Sequence, residues 1–152
     1  MSALKDQLRT DLTASMKARD QLRSSTLRMV LTAVSNAEVA GKQARDLDDD
    51  EVLAILGSEV KKRREAAEAF TAGNRPELAD KELAEAEILS LYLPEQMSAD
   101  EIAAVVAAAI DQTGAAAEGM KAMGKVMGVV TQQTKGKADG GAVAAEVRKQ
   151  LG

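Results

Sequence analysis

The 152-residue chain has no cysteine, no histidine and no tryptophan, with a single Phe (Phe70) and a single Tyr (Tyr92). Without Cys there is no disulfide, thiolate metal site or thiol nucleophile. Without His, the commonest general base and metal ligand is missing, and neither a Ser-His-Asp nor a Cys-His arrangement can be assembled. Carboxylates alone could still bind Mg²⁺ or serve as an acid/base pair, but with the commonest catalytic groups missing a non-catalytic protein with no cofactor and no bound metal is the expectation. Long apolar runs are absent too. The longest, 102–110, falls far short of the roughly 20 residues of a membrane span. The start of the sequence, MSALKDQLRTDL, is charged from Lys5 onward and has no apolar export core. These features predict a cytoplasmic protein with no membrane partner. The net charge of −4 argues against general affinity for nucleic acid and makes DNA an unexpected partner. An RNA role would have to rest on a local patch.

What the chain does contain is 45% hydrophobic residues, mostly Leu, Val, Ile, Met and Ala. That mixture suits helix-on-helix packing, whereas a β-sandwich would need more aromatic and β-branched bulk. The periodicity predicts an all-α protein: an N-terminal bundle of about four helices and a small three-helix C-terminal module. Residues 3–18 align Leu4, Leu8, Leu12 and Met16 on one face. Residues 21–40 turn Leu22, Thr26, Met29, Val30, Ala33, Val34 and Ala37 inward, and Gly41 can end that helix. The acidic run Asp48-Asp49-Asp50-Glu51 marks a helix N-terminus. The third helix then reaches about Ala72 with Val52, Leu53, Leu56, Val60, Ala67 and Phe70 on its apolar arc. Gly73-Asn74 stops it. Pro76 suits the first turn of a fourth helix, which runs to Leu93 and halts at Pro94.

The break near Pro94 predicts domains at 1–94 and 95–152. Ser98-x-x-Glu101 forms a capping box for a fifth helix with Ile102, Val105, Val106, Ala109 and Ile110 inward, ended by Gly114. Residues 119–134 form a sixth helix, with Met123, Met127, Val130 and Thr134 facing the core. Asp139 starts a seventh, carrying Val143, Val147 and Leu151.

Three constellations stand out. In Lys61-Lys62-Arg63-Arg64, successive positions point about 100° apart, and Arg63 falls near the centre of the apolar arc. On the fourth helix Glu82 and Glu85 lie among Leu78, Leu89 and Tyr92. Buried charges need partners, so a structural ion pair of Arg63 with Glu82, Glu85 or both is expected in preference to an acid/base pair. Arg28 lies on the far side of its helix and is expected in solvent. Residues 119–137 carry Lys121, Lys125, Lys135 and Lys137 with no acid. Gly124 and Gly128 run between the inward and outward faces of that helix, although an interior Gly costs about 1 kcal/mol relative to Ala. Such a strip admits a close neighbour, either another helix or a sugar-phosphate chain. No dinucleotide or P-loop spacing is present.

TLRM, VKKRRE, ELADKELAEAEILSLYLPEQMS, MGKVMG and TKGKADGGAV, in this order and spacing, resemble the GatB/YqeY family over nearly the whole chain. The segment after Pro94 is similar to the tail domain of the B subunit of tRNA-dependent amidotransferases, where the tail helps hold tRNA and chemistry occurs in other domains. The resemblance implies a non-catalytic module akin to a tRNA-binding tail. It is compatible with a family-level label of carbon–nitrogen ligase using glutamine as amido donor, an activity that the residues do not support. Ala122 departs from the acidic residue that family members often carry there. The expected partner is tRNA or other structured RNA, met by Lys121, Lys125, Lys135 and Lys137 beside Gly124 and Gly128. The alternative is a protein–protein adaptor in a translation-linked assembly.

Overall fold

A computed structural model of the chain describes residues 2–152. Among the described residues, seven α-helices and two short 3₁₀ turns make up the regular structure, and no strand occurs. The chain divides into two compact units, the first ending at Leu93 and the second running Pro94–Gly152.

The first unit contains α1 (Ala3–Lys17), α2 (Gln21–Val39), α3 (Asp49–Ala72) and α4 (Pro76–Ser90). Its core is Leu8, Leu27, Val30, Val34, Leu47, Val52, Leu56, Val60, Ala86 and Leu89. Full burial of each large aliphatic contributes about 1.5–3 kcal/mol. The inward arcs differ in places from the expected ones. Met16, Leu22 and Met29 are exposed, whereas Leu27 is fully buried. The arc of α2 is therefore rotated toward Leu27, Val30 and Val34. Leu47, in the loop before α3, also enters the core.

Each terminus has a physical reason. Ser2, Asp20 and Asp48 cap α1, α2 and α3, and Asp48 with Glu51 completes a capping box. The second helix ends at Val39 with Ala40 as its cap, before Gly41 is reached. At the end of α3, Arg75 N–H reaches the Phe70 carbonyl (2.8 Å) and Asn74 N–H the Thr71 carbonyl (3.1 Å). This is a Schellman motif with Asn74 left-handed at φ 59°. Pro76 occupies the first turn of α4. That helix stops at Ser90, three residues before Leu93. Tyr92 and Leu93 N–H groups bond back three residues, to Leu89 and Ser90, so the last turn tightens ahead of Pro94, which disfavours helical backbone at the residue before it.

The second unit contains α5 (Ala99–Thr113), two 3₁₀ turns (Ala115–Ala117 and Gly119–Ala122), α6 (Met123–Thr134) and α7 (Gly140–Leu151). Its core is Ile102, Val106, Ala109, Ile110, Ala115, Ala122, Val126, Val130, Val143 and Val147. The first four residues of the sixth helix expected over 119–134 thus form a 3₁₀ turn. Gly119, at φ 62°, interrupts the helical path, and the α-helix begins only at Met123. Its buried line is Ala122, Val126, Val130 and Thr134, with Met123 and Met127 half-buried beside it. Ser98 and Glu101 form the capping box of α5, and Asp139 caps α7. Met97 N–H donates to the Lys137 carbonyl at 2.8 Å, tying the start of this unit to the turn after α6. In that turn Gly136 has φ 76° and packs on Pro94, 3.7 Å from where a Cβ would sit.

Candidate nucleic-acid interface

The outer face of α6 follows from its buried line. With Ala122, Val126 and Val130 inward, helical spacing turns positions 121, 124, 125, 128, 131, 132 and 135 outward, and all are exposed. Gly124 and Gly128 sit on this face with no atom within 4 Å of a Cβ built on either. A neighbouring helix of the same unit therefore does not use the strip, and internal packing does not require glycine there.

The four lysines are not equivalent. Lys121, on the second 3₁₀ turn, is exposed. Lys125 forms an ion pair with Glu118 at 3.1 Å, both side chains nearly half exposed, and its ammonium also approaches the Thr113 carbonyl at 3.4 Å. Glu118 lies one residue outside the acid-free stretch, which is why a window read from 119 missed it. Lys135 follows directly on the last turn of α6 and is exposed. Lys137 is exposed but stands apart, lining a surface hollow of about 580 Å³ with Glu95, Glu101, Gln132 and Gln133. The lysine face is thus Lys121, Lys125 and Lys135 around the two glycines, with Lys137 in acidic company.

In the first unit Arg63 is 8% exposed and Glu85 6%. Arg63 Nε lies 3.3 Å from Glu85 Oε2 and Nη1 2.7 Å from Glu59 Oε2. Nη1 also donates to the Glu59 carbonyl at 3.1 Å, and Nη2 lies 3.3 Å from the Met29 sulfur. Nε makes no well-aligned hydrogen bond despite its proximity to Glu85. Glu82 is half-buried and is not one of Arg63's partners. Glu59 was legible as a helical Glu-to-Arg pair four apart, a signal overlooked beside the more conspicuous pair on α4. Among the described residues, no group of three acidic side chains is placed to hold a metal ion. Arg28 is exposed and donates to the Met16 sulfur at 3.0 Å.

Three relatives illustrate the likeness to known proteins. "Altered inheritance of mitochondria protein 41, mitochondrial" of Lachancea thermotolerans is 34% identical over 86 residues, 57% of this chain and 46% of that protein. The protein of the same name from Kluyveromyces lactis is 33% identical over 85 residues, 56% of this chain and 45% of its own length. An uncharacterised protein of Schizosaccharomyces pombe is 36% identical over 92 residues, 60% of this chain and 72% of that protein. The chain thus spans about half the length of the mitochondrial relatives it matches. None of these three names states an enzymatic activity.

The expectation of a cytoplasmic location is overturned by these relatives, two of which are named as mitochondrial. It rested on the missing apolar export core, and mitochondrial import uses amphipathic, Arg-rich segments with no such core. That absence therefore did not separate the compartments. The sequence model of a family described as Yqey-like protein matches residues 5–151, almost the full span of the resemblance noted in the sequence, and the chain belongs to the YqeY-like family.

Proposed function

We propose that the second unit is a non-catalytic module that docks on the backbone of structured, tRNA-like RNA through the outer face of α6. The observation that carries this reading is the pair Gly124 and Gly128, exposed with open space in front of them. Each interior glycine costs about 1 kcal/mol relative to Ala, and no packing inside the unit offsets that cost. A flat helix face lets a phosphate chain come close, and Lys121, Lys125 and Lys135 flank it. Glu118 does not preclude the role of Lys125, because an exposed ion pair of this kind contributes only about 0–1 kcal/mol and yields to a competing phosphate. With one Tyr, one Phe and no Trp, stacking platforms for bases are lacking. Recognition would use phosphates, 2′-hydroxyls and shape. The similarity of MGKVMG and TKGKADGGAV to the tail domain of the amidotransferase B subunit supports a tRNA-like partner.

The test is a titration of tRNA against the full chain and its Lys121→Ala/Lys125→Ala/Lys135→Ala variant at two salt concentrations. The log–log salt slope should fall by about 0.7–0.9 for each phosphate that is no longer neutralised. Lys137→Ala alone should change it less than any of the three. Affinity should drop alike for all RNAs bound, since bonds to phosphate carry no sequence information directly. Absence of binding by the wild type, or binding indifferent to both salt and the triple substitution, would remove the RNA reading and leave the adaptor.

A further inference from the structure

The corner between α1 and α2, in the first unit and separate from the lysine face, carries a second feature. The turn is a Schellman motif: Asp20 N–H bonds the Ser15 carbonyl at 2.9 Å and Arg19 N–H the Met16 carbonyl at 3.1 Å. The residue after the cap must be left-handed, a place normally given to glycine or asparagine. Asn74 fills the equivalent place at the end of α3, but here it is Arg19, at φ 58°. A long cationic side chain is thus kept at a position where it strains the backbone.

That side chain opens on a hollow of about 570 Å³ lined by Met16, Arg19, Gln21, Ser24, Ser25 and Arg28. Neither arginine has a carboxylate partner among the described residues. The hydroxyls of the hollow are turned to other bonds. Ser24 is buried and shares a 2.7 Å hydrogen bond with Ser15, and Ser25 donates to the Leu22 carbonyl. What remains available is an apolar floor under two guanidiniums, with the Gln21 side chain also lining the hollow. Exposed Leu22 and Met29 (37% and 40%) extend that floor along α2, at three- and four-residue helical spacing from Ser25.

We infer that this hollow docks an acidic amphipathic helical segment of a partner protein, seating an apolar side chain on Met16 and its carboxylates on Arg19 and Arg28. Charge complementarity selects the occupant: the charged side chains lining the hollow are both cations, in a chain whose net charge is −4. An RNA backbone would also meet the arginines. It would have no use for the apolar surface that makes up most of the hollow between the arginines. Methionine side chains adapt to varied apolar partners, and a helix laid in a groove presents its anchors at matching intervals. The thioether interaction of Arg28 is weak and gives way to a carboxylate, because charge-assisted hydrogen bonds are roughly twice as strong as neutral ones.

The probe is a fluorescein-labelled peptide of about 15 residues, with Leu at three- and four-residue spacing and Glu on both flanks. It is titrated into the full chain carrying methyl-labelled methionine. Binding should shift the Met16 and Met29 methyl resonances and leave exposed Met120 in place. The Arg19→Glu/Arg28→Glu variant should bind at least about tenfold more weakly, as loss of a complementary pair of charges implies, and a peptide with Lys replacing Glu should not bind. Arg19→Gly/Arg28→Gln keeps the test independent of folding. It should raise the melting temperature by relieving the turn and still weaken the peptide. Four results would each overturn the inference: no binding to the wild type, equal binding by either arginine variant, shifts centred on Met120, or displacement of the peptide by an RNA hairpin that reproduces the same shifts.

Discussion

Several side chains in the first unit tie its elements together through charge, and their titration makes this visible. Glu38 accepts from Lys5 at 2.7 Å, and that bond holds its carboxyl below the usual range. Asp49 is lowered likewise, first by the Ser2 hydroxyl and then by the Leu4 N–H at 3.1 Å. Both groups are more acidic folded than unfolded. Their contribution to stability is therefore complete above the ordinary carboxylate range and is lost as the pH falls through and below it. Urea midpoints should hold from pH 7 to 5 and then decline, and Lys5→Met should flatten part of that decline. An unchanged profile in Lys5→Met would deny the pair this role. Tyr92 behaves oppositely. Burial, and then the bond from its hydroxyl to Asp11, push its phenol well above the ordinary value near 10. The neutral form is favoured in the folded state, so this contribution is present below pH about 10 and lost as the pH climbs toward the folded value. As the sole tyrosine, it should show tyrosinate absorbance only where the chain unfolds. Tyr92→Phe should cost about 1 kcal/mol, the value of a part-exposed hydrogen bond to a charged group. Arg63 calls for the larger figure. With Glu85 and Glu59 both largely buried beside it, Arg63→Ala should cost about 3–5 kcal/mol by stranding two carboxylates, whereas Arg63→Met with Glu85→Leu should recover the share that Glu85 carries. Equal losses in the single and the double variant would mean that packing, not charge, holds the site.

At the scale of elements, α6 is where stability and the proposed function pull apart. Gly124→Ala and Gly128→Ala meet no atom within 4 Å, so each should stabilise the second unit by up to about 1 kcal/mol. If the face admits an RNA backbone, the same double variant should bind tRNA more weakly despite its greater stability. A gain in both would indicate that the glycines are not kept for close approach. This helix also shows how far the sequence could be read. The stop at Gly114, the capping box of Ser98 and Glu101 and Pro76 at a first turn were legible because each depends on chemistry within three or four residues. Gly119 was read as the start of this helix, although its left-handed backbone opens a 3₁₀ turn and the α-helix begins only at Met123. The exposed placement of Gly124 and Gly128 was not decidable, since the sequence left a helix and a phosphate chain equally suited to them. Arg63 and Glu85 could be placed near one another from their arcs alone. Glu59 needed only the four-residue spacing within α3, whereas leaving out Glu82 depended on the rotation of α3 against α4, which periodicity does not fix. The arc of α2 was misjudged for a related reason: Leu22, Met29 and Leu27 are all apolar, and only packing decides which of them is enclosed.

For the whole molecule, two separate cores imply two stabilities. The first unit encloses Leu8, Leu27, Leu56 and Leu89 completely. The second is shorter and its core is mainly Val and Ala, with Ile102 and Ile110 incompletely covered. A unit of about 60 residues buries a smaller share of its surface than a longer one, and small side chains contribute less area each. The second unit is therefore expected to unfold first. Tyr92 makes the two transitions separable: it lies in the first unit, whereas helical circular dichroism reports on both. In urea, part of the helical signal should disappear before Tyr92 fluorescence changes. Val106→Ala, which truncates a fully buried side chain in the second core, should move only the early transition. Leu56→Ala in the first core should move only the late one, by about 2–5 kcal/mol. Superimposable transitions by the two probes, with both variants shifting both, would show that the chain unfolds as one cooperative body. Separate transitions would also bear on the RNA titration, because added tRNA should stabilise the early transition alone, by an amount that grows with its concentration over the dissociation constant.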